Sequence, residues 1–75
     1  MVNLTKLNDA INDSGISKTR IAEKLSISRT SLFMKLKGIR EFTASEIYKL
    51  KDVLLLPLDK FIEIFFADER EYKST

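Results

Sequence analysis

The chain of 75 residues contains no cysteine and no histidine, only one proline and only two glycines. The missing cysteine and histidine exclude disulfides and thiol catalysis, and they remove the common zinc ligands and the usual acid-base residue of neutral pH. We therefore expect neither an enzyme nor a metal or other cofactor, and no small-molecule substrate. The stability of a domain of this size must come from apolar burial.

Long apolar runs are also missing. No stretch approaches the roughly 20 apolar residues that cross a bilayer, and the first residues lack the apolar segment of a signal peptide. The most apolar part, residues 53–67, is interrupted by Pro57 and by three charged residues. We expect a cytoplasmic protein without a membrane role. Hydrophobic residues still make up 44% of the chain, which is typical of a packed helical domain rather than a disordered one.

The charge of the chain is concentrated in one segment. Residues 18–40 contain seven basic residues and one acidic residue, a net charge of +6, whereas the remaining residues contain six basic and ten acidic residues, a net charge of −4. The formal charge of +2 for the whole chain hides this difference. A positive patch is what phosphate binding requires, because the release of counterions from a nucleic acid supplies much of the affinity. A solvated charged face without a ligand is the alternative interpretation.

Apolar spacing and capping residues predict three helices in the first half of the chain. Gly15 ends the first helix, Ser17 caps the second, Ser28 caps the third and Gly38 ends it. The second and third helices are joined by about three residues, so they must cross steeply, which is the geometry of a helix-turn-helix. The predicted ranges are about 3–13, 18–25 and 29–37.

Two further helices are predicted in the second half. Thr43 and Glu46 form the pattern of a capping box, and Phe42 and Ile47 that of a hydrophobic staple, so the start of the fourth helix is well defined. Pro57 ends this helix and suits the first turn of a fifth. The predicted buried faces are Ile47, Leu50, Val53 and Leu54 on the fourth helix and Leu58, Phe61, Ile62 and Phe65 on the fifth.

The segment KTRIAEKLSISRTSLFMKLKG has a small residue, Ala22, where two helices would approach most closely. With this segment the chain resembles the DNA-binding domains of the phage Cro and repressor family, also called the XRE family, over about Leu4–Phe66. The resemblance implies an all-α, compact five-helix lambda-repressor-like domain over residues 1–67, followed by a polar, flexible tail over 68–75. Ser26 stands where the family usually has glycine, and Lys35 where several relatives have an apolar residue. We expect Lys35 to be exposed.

The resemblance also implies which residues meet DNA. In the family the third helix enters the major groove, and its exposed side chains contact the bases. The residues at those positions here are Arg29, Thr30, Phe33 and Met34, although Phe33 alternatively packs against neighbouring helices. Lys18 and Thr19 begin the second helix, where backbone donors and the helix dipole favour a phosphate. Family resemblance adds Lys35, Lys37 and Arg40 to the residues expected at the sugar-phosphate backbone.

The expected function is that of a Cro-like or repressor-like transcriptional regulator that binds double-stranded DNA in a sequence-specific manner. The family binds operators of two-fold symmetry as dimers, so we expect a homodimer at least on DNA. Leu55, Ile64 and Phe66 are left over when the core faces are assigned, and we expect them to form the dimer surface unless they complete the core. The alternative function is a protein-binding module or antirepressor that uses the same fold.

Overall fold

A computed structural model describes residues 2–66, which form five α-helices and no strand. The predicted all-helical class is confirmed within this range, whereas the predicted tail over 68–75 lies outside the described residues. The longest helix has 11 residues, and none in the described range has the length and apolarity to cross a membrane. The helices are α1 (Leu4–Ser14), α2 (Lys18–Leu25), α3 (Arg29–Leu36), α4 (Ala44–Val53) and α5 (Leu58–Phe65).

Side-chain caps define where the first four helices begin. The side chains of Asn3, Ser17, Ser28 and Thr43 each accept a hydrogen bond from a backbone N–H in the first turn of the helix that follows. The predicted capping box of α4 is complete, because Glu46 also accepts a hydrogen bond from the Thr43 N–H. These short-range bonds satisfy donors that a helix start leaves free. The caps predicted at Ser17, Ser28 and Thr43 are therefore confirmed.

A residue in the left-handed conformation follows each of the first four helices, Gly15 after α1 among them with φ of 73°. The other three share one hydrogen-bond pattern. The residue is Ser26 after α2, Gly38 after α3 and Leu55 after α4, with φ of 61°, 83° and 54°. In each case this residue and the next donate hydrogen bonds back to the last turn of the helix, the pattern of a Schellman motif. Of these three residues only Gly38 adopts the left-handed conformation without strain, since a side chain disfavours it by about 1 kcal/mol or more.

The core lies where all five helices meet. In the order of the chain, α1 packs on α3 and α5, and α2 packs on α3 and α4. Ala22 is buried in α2, as expected of a small residue between closely packed helices. The buried hydrophobic residues are Leu7, Ile11, Ile21, Ala22, Leu25, Leu32, Leu36, Leu50, Leu54, Phe61, Ile64 and Phe65.

The buried face of α5 differs from the predicted one. Phe61, Ile64 and Phe65 point inward, whereas Leu58 is 65% exposed and Ile62 is only half-buried. Pro57 is the N-cap of the helix rather than a residue of its first turn. The prediction that Ile64 lies on a dimer surface is wrong, because its side chain is 3% exposed in the core. Apolar residues at 58, 61, 62, 64 and 65 allow two overlapping stripes, and the packing of α1 against α5 selects between them.

Candidate nucleic-acid interface

The basic segment forms a surface of exposed cations on α2, on α3 and in the loop that follows. We call these residues the basic surface, and none of them forms a salt bridge with another residue of the range 2–66. Their charges are therefore free to meet an anionic ligand, with only Glu23 as an acidic neighbour in the segment. The members of the basic surface are Lys18, Arg20, Lys24, Arg29, Lys37 and Arg40.

Lys35 is the exception among the seven basic residues of the segment. The prediction that it is exposed is wrong, because it is 9% exposed and its ammonium lies against Glu46. Lys35 Nζ donates to Glu46 Oε1 at 2.6 Å and to Oε2 at 2.7 Å. A buried ammonium held by a carboxylate is not available to a phosphate, so Lys35 leaves the set of phosphate contacts. The pair instead joins α3 to the capping box of α4.

The environment of Glu46 keeps its carboxylate charged. Burial alone would raise the pKa of this carboxyl group, because the charged form loses hydration. Hydrogen bonds from Lys35 and from the Thr43 N–H, together with the positive charge of Lys35, outweigh burial and bring the pKa below its ordinary value. The Glu46 carboxylate is therefore charged at neutral pH.

The exposed face of α3 lies beside the start of α2. Arg29, Thr30 and Phe33 are all exposed, as the predicted base contacts require. Together with Lys18 and Leu32 they line a concavity of about 480 Å³ on the surface. The structure thus brings one predicted phosphate contact, Lys18, next to three predicted base contacts.

The other predicted contact residues do not line this concavity. Thr19 and Lys37 are exposed, and so is Arg40 in the loop after α3. Met34 is half-buried, so it presents less of its side chain than the other predicted base contacts. Among the predicted DNA contacts, exposure is therefore contradicted only for Lys35.

The contact between Phe33 and Lys37 was not predicted from the sequence. Phe33 is 54% exposed, and Lys37 Nζ lies over its ring, 4.6 Å from the centroid. The two residues are four apart in sequence, a spacing that brings side chains together at a helix surface, so this cation–π contact was open to prediction. The same spacing rule would have predicted the burial of Lys35, because it follows the buried Leu32 by three residues and lies on the same face of α3.

Two of the three predicted dimerisation residues are at the surface. Leu55 is 85% exposed and lines a groove of about 530 Å³ between α1 and α5. Phe66 is partly exposed and packs edge-on against Phe61, with the ring centroids 5.9 Å apart. Tyr48, for which no role was predicted, is also exposed and stacks on the same Phe61 ring, with the centroids 6.1 Å apart.

Comparisons of the chain with family models, with curated proteins and with solved structures give no match.

Proposed function

We propose that this protein is a transcriptional regulator that binds double-stranded DNA in a sequence-specific manner, with α3 in the major groove. The observation that carries the proposal is the exposed face of α3, where Arg29, Thr30 and Phe33 stand within the basic surface. An α-helix fits the major groove, and cations around such a helix can bind the phosphate backbone. The protein would act in the cytoplasm, on the nucleoid.

The exposed residues of α3 divide by the chemistry of their side chains. Arg29 offers a pair of hydrogen-bond donors that matches O6 and N7 of guanine, a contact that discriminates by about 1–3 kcal/mol. Thr30 can bond a base or place its methyl group against thymine, whereas Met34 has only apolar contact to offer. Lys18, Thr19, Lys37 and Arg40 are assigned to phosphates, where they position the protein without specifying the sequence.

We further propose that the protein forms a homodimer, at least on DNA, for which Leu55 and Phe66 provide the surface. A leucine in the left-handed conformation with 85% of its surface exposed is unfavourable in the monomer on both counts. Burial against a second copy would compensate for this. A two-fold symmetric dimer would match an operator of two-fold symmetry, and to bind half-sites one turn of DNA apart it would have to hold its two copies of α3 about 34 Å apart.

Selection of binding sites from random duplex DNA tests the proposed function. We expect a consensus of two-fold symmetry, with a guanine in each half-site. Binding through about six phosphates should weaken on the order of 10³-fold between 50 and 200 mM salt. Absence of any enriched sequence would contradict the proposal.

Two substitutions on the basic surface test the division of roles. Arg29→Ala should relax the preference at one base pair of each half-site, whereas Arg40→Ala should weaken binding to all sequences about equally. Both side chains are exposed, so neither substitution should disturb the fold. The assignment of Arg29 to a base is wrong if the two variants lose affinity with the same sequence profile.

Sedimentation at tens of micromolar, with and without the selected duplex, tests the dimer. Leu55→Asn removes the apolar side chain but keeps a residue that tolerates the left-handed conformation, so a loss of dimer would report on the side chain alone. Phe66→Ser tests the second member. A wild-type protein that stays monomeric on its operator would exclude the dimer.

The alternative function is a protein-binding module or antirepressor, and the exposed apolar residues Tyr48, Leu55, Leu58 and Phe66 favour it. Salt separates the two functions. An apolar protein contact should change little between 50 and 200 mM salt, in contrast to the steep loss expected for DNA.

A further inference from the structure

Phe33 is an unusual residue for the exposed face of a polar helix. It is the most exposed of the five phenylalanines, and it lies one turn after Arg29 and one turn before Lys37. The ring has no polar atom to interact with water, so an apolar ligand group that covered it would gain free energy. The half-exposed ring also lines the concavity that it shares with Lys18, Arg29, Thr30 and Leu32.

Lys37 restricts the position of this ring. Its ammonium lies 4.6 Å from the ring centroid, within the distance at which a cation is attracted by the face of an aromatic ring. One face of the Phe33 ring is therefore next to the Lys37 ammonium, while 54% of the residue is exposed. The Lys37 contact already restricts the rotamers of Phe33, so the side chain loses less conformational entropy when it binds a ligand. This favours a ring held in one position for an apolar contact.

The chemistry of the ring limits what it can recognise in a major groove. Phenylalanine neither donates nor accepts a hydrogen bond, so it cannot distinguish bases by their polar edges. Among the four bases, only thymine presents an apolar group in the major groove, its C5 methyl. Resting on the proposed function, we propose that Phe33, positioned by Lys37, contacts the C5 methyl of one thymine in each half-site.

The helix geometry also predicts where this thymine lies. Phe33 follows Arg29 by four residues, about 6 Å along the axis of α3. Successive base pairs are about 3.4 Å apart. The thymine should therefore lie within about two base pairs of the guanine that Arg29 contacts.

Replacement of single thymines by deoxyuridine in the selected operator tests this inference. The exchange removes only the methyl group and leaves every hydrogen-bonding atom in place. At one position of a half-site, the affinity of the wild-type protein should fall about fourfold, the effect of one buried methyl group. Phe33→Ala should bind the thymine and deoxyuridine duplexes within about twofold of each other. Leu58→Ala, which removes an exposed apolar side chain on α5, should keep the fourfold preference.

Cytosine provides the converse experiment at the same position. With a C·G pair there, 5-methylcytosine should bind the wild-type protein about fourfold more tightly than cytosine, because the methyl group is restored in the same place. Phe33→Ala should not distinguish the two. Lys37→Met should reduce the methyl preference below that of the wild type, and Lys37→Arg should retain it, since arginine also binds an aromatic face. The thermal midpoints of the Phe33 and Lys37 variants should match the wild type.

The outcomes separate this inference from the proposed function. If selection yields no consensus, both are overturned. A consensus in which every thymine is replaceable by deoxyuridine with less than twofold loss would overturn the contact with thymine and leave DNA binding intact. A methyl preference that persists in Phe33→Ala would assign the contact to another residue. Tighter binding of single strands than of duplexes would instead identify Phe33 as a platform for base stacking and overturn the inference.

Discussion

Helices α3 and α5 each have eight residues, but different interactions hold them against the rest of the protein. α5 buries three large apolar side chains, Phe61, Ile64 and Phe65, and no side chain caps its start. α3 buries only two, Leu32 and Leu36, with Lys35 as its third buried residue. Much of the attachment of α3 is therefore directional and polar, whereas that of α5 is apolar.

The exposed face of α3 takes no part in its attachment to the rest of the protein. The Ser28 cap, the Schellman motif at Gly38 and the Lys35–Glu46 ion pair all act at the ends or on the buried side of the helix. They orient α3 without using the side chains of its exposed face. α5 exposes as many residues as α3, namely Leu58, Asp59 and Lys60. The two helices therefore differ in the chemistry of the buried side and not in how much of the helix is buried.

The largest change in the free energy of unfolding is expected from a substitution in the core face of α5. Ile64→Ala should lower the free energy of unfolding by about 3 kcal/mol, because it leaves a cavity in a small core. Arg29→Ala, the corresponding surface change in α3, should alter it by less than about 0.5 kcal/mol. Urea denaturation followed by circular dichroism measures both. An unchanged stability of Ile64→Ala, with a change in self-association instead, would contradict the burial of Ile64.

The next largest change in the free energy of unfolding is expected from loss of the Lys35–Glu46 ion pair. Lys35→Met should lower the free energy of unfolding by about 2–3 kcal/mol, because the nearly buried Glu46 carboxylate loses its counter-ion. Adding Glu46→Gln should restore about half of this, since glutamine is neutral and still accepts the capping hydrogen bond from Thr43. Lys37→Met is the matched control at an exposed position, with little expected change. If both lysine variants were equally stable, the pair would not hold α3.

A smaller change, this time an increase in stability, is expected from a substitution in the turn that leads into α3. Ser26→Gly should raise the free energy of unfolding by about 1 kcal/mol, because glycine adopts the left-handed conformation without a steric penalty. Ser26→Ala, which keeps the Cβ atom, is the control and should show no gain. Thermal denaturation of the three proteins decides this, and equal midpoints for glycine and alanine would exclude strain at Ser26.

The smallest effect is expected from titration of Glu46. Its pKa is lowered in the folded protein from the ordinary value of 4.5, so the unfolded chain takes up the proton at higher pH. The resulting stabilisation is complete above the unfolded pKa and is lost as the pH falls through the folded pKa. Denaturation between pH 6 and pH 3 should therefore show a steeper loss for the wild type than for Glu46→Gln. Parallel curves would contradict the lowered pKa.

The features of α2 and α3 that depend on residues close together in the sequence could be predicted. Ser17 and Ser28 were recognised as caps, and α2 has the predicted bounds, because capping bonds join residues three apart. The exposure of Arg29 and Thr30 followed from the same helical spacing that buries Leu32. The alternative stripes on α5 were not resolved by spacing, since both have helical periodicity.

The sequence by itself determined the five helices, the caps at Ser17, Ser28 and Thr43 and the concentration of positive charge on α2 and α3, because these depend on residues close together in the chain. Only the tertiary structure decided that Lys35 is paired and that Ile64 is in the core. Glu46 lies eleven residues from Lys35, so the partner is brought there by the packing of the helices and not by local spacing. Ile64 is buried because α1 covers that side of α5, where the Asn3 N–H donates to the Ile64 carbonyl.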